Sequence, residues 1–321
     1  MLIAATQHGV LLAEQNGKEW RVTRHGLQGR HVTAVMAREG VILAGTTDGV
    51  YCSEDLGQTW SEASDGLSLR HVRWMAYHPA VSDLEFVGTE PAGIFVSHDG
   101  ARTWRECAEV GQLRDRFGWY LPYSPEAGCV RGFAFHGGRA YAAVEVGGVL
   151  RSDDTGETWR LADGSTGRPV FSLASPRHVA SDVHSVAVHP SSPDLVFAAT
   201  HAGLFRSADG GVNWTHLYRC YCRALWVDPA DPGHIIFGPA DDVDRRGRIE
   251  ETQDGGRTWR DASAGLATPW PNDMVERLVQ LGDELYAVLA SGKLYVAALG
   301  RVAWERALPD MDDVNAVTTM A

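Results

Sequence analysis

Seven segments of the chain place a polar residue directly after a Val or, once, a Cys. Val32, Val72, Val130, Val183, Cys222, Val275 and Val314 are followed by Thr33, Arg73, Arg131, His184, Arg223, Glu276 and Asn315. Three guanidinium groups at equivalent positions suit a carboxylate, sulfate or phosphate, because each offers a planar fork of donors. His184, with Asp182 two residues earlier on the same strand face, has the makings of a proton-transfer pair. Glu145 in "VEVGG" and Glu90 in "GTEPAG" are candidate second acid/base groups. Two carboxylates flanking a bond could hydrolyse a glycoside, whereas His184 with Tyr120 could abstract a proton beside a carboxylate. His201 in "ATHAG" and Tyr221, which starts one of the seven segments, complete the polar set. Trp119, Tyr120 and Tyr123 in "GWYLPY" are flat enough to stack on a sugar ring.

Something must bring these segments together, and the chain carries its own ruler. The octets "SEDLGQTW", "SHDGARTW", "SDDTGETW", "SADGGVNW" and "TQDGGRTW" end at Trp60, Trp104, Trp159, Trp214 and Trp259, spaced 44, 55, 55 and 45 residues apart. Worn copies end at Trp20 and Trp304, which makes seven units. A period of this length marks a repeat architecture. Within a unit, "DVHSVAVHP", "DLVFAATHA", "GLFRSADGGVNW" and "THLYR" alternate with period two and break at Gly, Pro and Asp, as four short strands do. No helical period is evident. The expected fold is all-β, a seven-bladed β-propeller spanning 1–321 as one domain, with four antiparallel strands per blade. First strands are expected near 31, 71, 130, 182, 221, 274 and 314. The start lacks a first strand and "VNAVTTMA" is an orphan, so the C-terminal strand should join the N-terminal blade and remove two sheet edges.

In such a ring the first strands line a central channel, so the seven polar residues should converge near its mouth. The loops with Glu90, Glu145 and His201, and with Asp241 and Asp242, open on that face. The octet turns belong on the opposite face, with Asp accepting backbone N–H bonds, Gly supplying positive φ and Trp packing between blades. Ala101 departs from this by standing where the other octets have Gly. Two long inter-blade stretches, 105–129 and 160–182, have the length of functional lids.

Composition narrows the partners. The net charge is −12 and no basic run exists, which argues against nucleic acid and anionic membranes. Five cysteines at irregular spacing do not make a disulfide framework, and the N-terminus lacks signal-peptide features, so a cytoplasmic location is expected. Cys129, Cys220, Cys222 and His184 are ligand types for a soft metal. However, Cys222 falls in the Val row and should pack between blades, so neither a metal nor a cofactor is expected.

The octet resembles the Asp-box, or BNR repeat, found in sialidases, some xyloglucanases and a photosystem II assembly factor. The resemblance implies the propeller fold and leaves function open. Sialidases hold a substrate carboxylate with three arginines, but their Arg-Ile-Pro motif and usual six blades are missing here. The segments "WYLPYSP", "VRGFAF", "VEVGGVLRSDDTGETW" and "DVHSVAVHP" are similar to bacterial Asp-box proteins described as glycosyl-hydrolase-like. That likeness implies one site containing Trp119, Arg131, Glu145, Asp182 and His184. Two functions are expected in consequence. One is a pocket that binds, and hydrolyses or eliminates, an anionic sugar-like molecule through Arg73, Arg131 and Arg223. The other is a non-catalytic scaffold for a protein or ligand. Because three like charges repel, loss of Arg131 is expected to cost ligand but little stability.

Overall fold

The structure, a computed structural model, describes residues 1–17, 19–121, 128–169 and 177–320. Their strands form seven four-stranded antiparallel sheets. Six sheets use strands consecutive in sequence. The seventh pairs Val314–Thr319 with Leu2–Thr6, in the register Leu2 to Thr319 and Ala5 to Ala316, with Gly9–Asn16 and Glu19–Gly26 next in order. The inner strands are Val32–Arg38, His71–Tyr77, Val130–His136, Val183–Val188, Tyr221–Asp228, Val275–Leu281 and Val314–Thr319. Each touches the next, and Val275–Leu281 meets Val314–Thr319, so the ring is closed.

The core lies between blades. Val32, Val72, Val130, Val183, Cys222, Val275 and Val314 are all buried. Val72, Val130 and Val275 lie against Gly45, Gly88 and Gly238 of the neighbouring sheet, where a β-carbon would collide with them. This interlock explains an apolar row beside a row of small residues.

The octet turns are built from their own side chains. Ser53 Oγ donates to Asp55 Oδ1 (2.9 Å) and accepts from Gly57 N (2.8 Å), while Thr59 donates its N–H and hydroxyl to the Asp55 carboxylate. Asp99, Asp154, Asp209 and Asp254 repeat this bonding. Trp60, Trp159, Trp214 and Trp259 each return the indole N–H to the turn's own Gly carbonyl. Ala101 adopts φ 63°, the left-handed conformation Gly holds in the other copies.

The expectation of no helix fails in the first long inter-blade stretch. Ala108–Phe117 is an α-helix ended by Gly118 at φ 66°, whose N–H bonds Arg114 O at 2.8 Å. Its Val110 enters the core, and Glu109 Oε1 accepts the backbone N–H of Trp159. The insert is therefore partly structural packing. Among the described residues, no helix is long and apolar enough to cross a membrane. All five cysteines are free.

Candidate functional site

Each of the seven polar residues sits at an irregularity in strand pairing. The inner and second strands slip between Val32 and Ala34, Val72 and Trp74, Val130 and Gly132, Val183 and Ser185, Cys222 and Leu225, and Val275 and Arg277. In the closing blade Val314 and Ala316 are paired but Asn315 is not. A bulge frees one residue from the ladder and re-aims its side chain. Here it aims polar side chains toward the channel or onto the next blade.

Three of the seven act as clasps. Thr33 Oγ1 donates to Val72 O (2.6 Å), Asn315 Nδ2 to Val32 O (2.7 Å), and His184 Nδ1 bonds Cys222 O (2.8 Å). Each satisfies the backbone carbonyl of the Val-row residue in the adjoining blade, a buried acceptor that would otherwise be costly. The other four are charged.

Arg73, Arg131, Arg223 and Glu276 line one cavity of about 280 Å³, together with Trp74 and Arg277. The arginines are in very different states. Arg131 gives Nη1 to Glu145 (2.9 Å) and Nη2 to Glu276. Arg223 gives Nη1 to Glu276 (2.9 Å) and, at 3.3 Å, to Asp244. Both forks are committed to carboxylates inside the protein. Burial alone would lift the Glu276 pKa, but Arg131 and Arg223 hold it well below the ordinary carboxylate range. Arg131, expected to hold a ligand's anion, has its fork tied to Glu145 and Glu276 in a buried ion pair, and with that geometry its loss is expected to cost stability.

Arg277 was missed by sequence reasoning and is the more open cation. It comes directly after the bulged Glu276, lies 4.0 Å from the Trp74 ring centre, and donates Nη2 to Thr33 O at 3.2 Å. Its Nε is buried without a hydrogen-bond partner, and no carboxylate among the described residues pairs with it. Burial pushes its pKa down to about 9, opposed by Glu276 and reinforced by Arg131 and Arg73. A guanidinium keeps its proton at neutral pH even so, so the shift marks a charge short of compensation. Arg73 is half-buried and stands 3.6 Å from Glu90, a loose contact. Arg73 and Arg277 thus retain donor capacity facing the cavity.

The proton-transfer candidates lie behind this wall. His184 is fully buried, with Nε2 3.3 Å from Asp182 Oδ2, 3.9 Å from Glu145 Oε1 and 3.4 Å from the Tyr221 hydroxyl. Cys129 Sγ donates to Glu145 Oε2 at 2.8 Å, and burial beside Glu145 pushes that thiol pKa up. Burial works against the Asp182 carboxylate, but His184 holds it at about 2. Glu145 is likewise kept below its usual value, by Arg131 and then His184 against the cost of burial. Carboxylates held ionised in this way are poor general acids. One oxygen from each carboxylate and the His184 nitrogen all fall within 4.8 Å of one another. Glycosidase carboxyl groups stand roughly 5–9.5 Å apart. The Glu145 and Asp182 oxygens beside His184 lie within 4.8 Å of each other and do not line the cavity.

The remaining candidates scatter. Glu90 is buried behind Arg73, 3.9 Å from His71, rather than lining the cavity. His201 gives its backbone N–H to Asp182 O. Arg223 Nε donates to the Tyr221 hydroxyl at 3.3 Å, so Tyr221 bridges the two groups. Trp119 is no sugar platform: it is buried in the core and its indole N–H bonds Gly167 O. Tyr120 is exposed and away from the cavity, and Tyr123 lies outside the described residues. Asp241 pairs with Arg246 and Arg248 instead of facing the channel, a role that passes to Asp244.

Fold and site together define a closed seven-bladed β-propeller whose channel mouth is ringed by arginines and carboxylates. No protein-family model and no curated protein matches the sequence. Solved structures do resemble it. An ancestral GH74 enzyme aligns with TM-score 0.64 at 17% identity over 95% of this chain and 40% of that one. The GH74 xyloglucanase from Xanthomonas campestris aligns with TM-score 0.63 at 19% identity, covering 91% of this chain and 47% of its own. YCF48 bound to D1 peptide aligns with TM-score 0.62 at 14% identity, covering 92% and 88%. The chain spans under half the length of either GH74 structure, and identities this low are a likeness of fold. Enzymes and a peptide-bound propeller stand equally near.

Proposed function

We propose that this propeller binds a small molecule bearing a carboxylate or phosphate, such as an acidic sugar, at the channel mouth. Arg73 and Arg277 hold the acidic group, while Arg131 and Arg223 shape the wall through their ties to Glu145, Glu276 and Asp244. The observation that carries this reading is Arg277, a cation whose Nε is buried without a hydrogen-bond partner and whose charge is only partly offset by Glu276, a carboxylate already shared by Arg131 and Arg223. A charge left in that state is costly unless something supplies an anion. The cavity, at about 280 Å³, suits a ligand at the small end of the usual range. The reading is one of binding rather than hydrolysis, since the paired acids of the buried cluster are held ionised and sit apart from the cavity.

Thermal shift and titration with inorganic phosphate, glucuronate and neutral glucose test this reading. The anions should raise the melting temperature of the wild type, glucose should not, and Arg277→Gln and Arg73→Gln should each abolish the shift. Equal stabilisation of wild type and both variants, or none in the wild type, would refute the anion pocket. The alternative is a scaffold, and YCF48, in a structure bound to a peptide, is the neighbour that favours it.

A further inference from the structure

The buried cluster of His184, Asp182 and Glu145 makes little sense as three side chains alone. A carbonyl oxygen only accepts, so His184 Nδ1 must carry a proton to bond Cys222 O at 2.8 Å. In the neutral imidazole that spends the only proton. Nε2 then presents a lone pair to Asp182 Oδ2 at 3.3 Å and Glu145 Oε1 at 3.9 Å. The imidazole has no exposed surface, and the other Asp182 oxygen, Oδ1, is also buried with no hydrogen-bond partner. Three electron-rich atoms face a common point, with the Tyr221 hydroxyl 3.4 Å from Nε2 and Arg131 Nη1 2.9 Å from Glu145 Oε1, and a further cation at that point would offset their charge.

That cation is a second proton on the imidazole or a metal ion, and the spacing separates them. An imidazolium draws a carboxylate oxygen in to about 2.7–2.9 Å. Ligand atoms bound at about 2.0–2.2 Å to one ion stand roughly 3–3.6 Å apart. The 3.3 Å edge lies in the second range, the 3.9 Å edge to Glu145 lies a little beyond it, and all three atoms fit within 4.8 Å. The surroundings match as well. Metal-bound imidazoles commonly donate their other N–H to a backbone carbonyl, and ligating carboxylates are themselves hydrogen-bonded. Cys222 O and the Cys129 thiol provide those two contacts. Two carboxylates and a neutral imidazole would balance a divalent charge. Arg131 also touches Glu145 Oε1, but its charge is shared with Glu276.

We propose that Glu145, Asp182 and His184 bind one divalent first-row transition ion, with two oxygen ligands and one nitrogen ligand. Such a donor set suits Zn²⁺, Mn²⁺ or Co²⁺. The proposal does not depend on the anion pocket.

The test uses the full chain, stripped with a chelator and titrated calorimetrically with Zn²⁺ and Mn²⁺, with Co²⁺ binding monitored by absorption. The expected result is one ion per chain, with cobalt d–d bands and no thiolate charge-transfer band. Asp182→Asn keeps the shape of the side chain and should weaken binding by roughly tenfold or more, as should His184→Gln. Cys220→Ser should leave binding unchanged. Circular dichroism of each variant confirms folding, and the near-isosteric Asp182→Asn remains decisive if His184→Gln fails to fold. No binding by the wild type leaves the imidazolium in place and overturns the proposal. So does binding that survives Asp182→Asn, or a thiolate band that disappears in Cys220→Ser.

Discussion

Replacing Arg131 with Ala should cost this protein more stability than ligand affinity, the reverse of what its place in a polar ring implies. Side-chain exposure is 9% for Arg131 and 3% for Glu145. Glu276 keeps Arg223 when Arg131 is lost, whereas Glu145 loses the 2.9 Å contact with Arg131 Nη1 that offsets its buried charge. Breaking a buried pair by removing one partner costs about 3–5 kcal/mol, because the remaining charge is stranded. At roughly 2 °C per kcal/mol for a large domain, the melting temperature should fall by about 6–10 °C. Adding Glu145→Gln removes the stranded charge and should recover part of the loss, a coupling of about 1–3 kcal/mol in a double-mutant cycle. Differential scanning calorimetry of wild type, both single variants and the double variant measures this. A lone Arg131→Ala that melts within about 1 °C of wild type, or a double variant no better than additive, would refute the ion-pair account. Relief of repulsion among arginines would then be the better explanation.

Other expectations rest on the repeated turns and the closing strand. The backbone and hydroxyl of Thr59 hold the Asp55 carboxyl down to about 2, and hydrogen bonds hold Asp99, Asp154 and Asp209 low against their partial burial. The unfolded chain therefore binds protons first, so this contribution is complete above the ordinary carboxylate pKa of about 3.9. It should be lost progressively as pH falls toward about 2; acid unfolding already complete by about pH 5 would point to other groups. Ala101→Gly should stabilise the fold by about 0.5–1 kcal/mol in urea titration, since φ 63° strains Ala by more than the added chain entropy of Gly. A loss of stability there would mean the Ala methyl packs better than its backbone is strained. Deleting 314–320 should expose the edge of Leu2–Thr6 and lower the melting temperature sharply, and a truncated chain that melts like the full one would refute closure by that pairing.

Most of the fold was legible because the repeated feature is a turn, and turn chemistry is local. Ser, Asp, Gly and Thr within one octet bond mainly to each other, so their spacing survives in sequence whatever surrounds them. The helix Ala108–Phe117 was not legible, being short and stabilised by what it touches, such as the link from Glu109 to Trp159. Trp119 shows the same limit. An aromatic cluster in a long insert has no directional signal, and here one ring faces the core while its neighbour Tyr120 faces solvent.

The site divides along a finer line. The seven-residue ring could be read because each bulge falls directly after a buried Val or Cys, one sequence position repeated around the propeller. The direction of the residue beyond each bulge could not be read. A regular strand would turn Trp74 and Arg277 to the face opposite Arg73 and Glu276. The bulges break that alternation, so both partners of each pair reach the same cavity. Asp244 escaped for a related reason, since it stands in a loop where both it and Arg246 have positive φ, and only the folded loop brings it to Arg223. The same irregularity also makes the ring cooperative. Glu276 ties Arg131 to Arg223 across three blades, and Arg277 beside it holds Trp74 and the Thr33 carbonyl. The anion proposed to bind Arg277 would therefore meet a wall already fixed by these ion pairs, and little of its binding energy would be spent on ordering side chains.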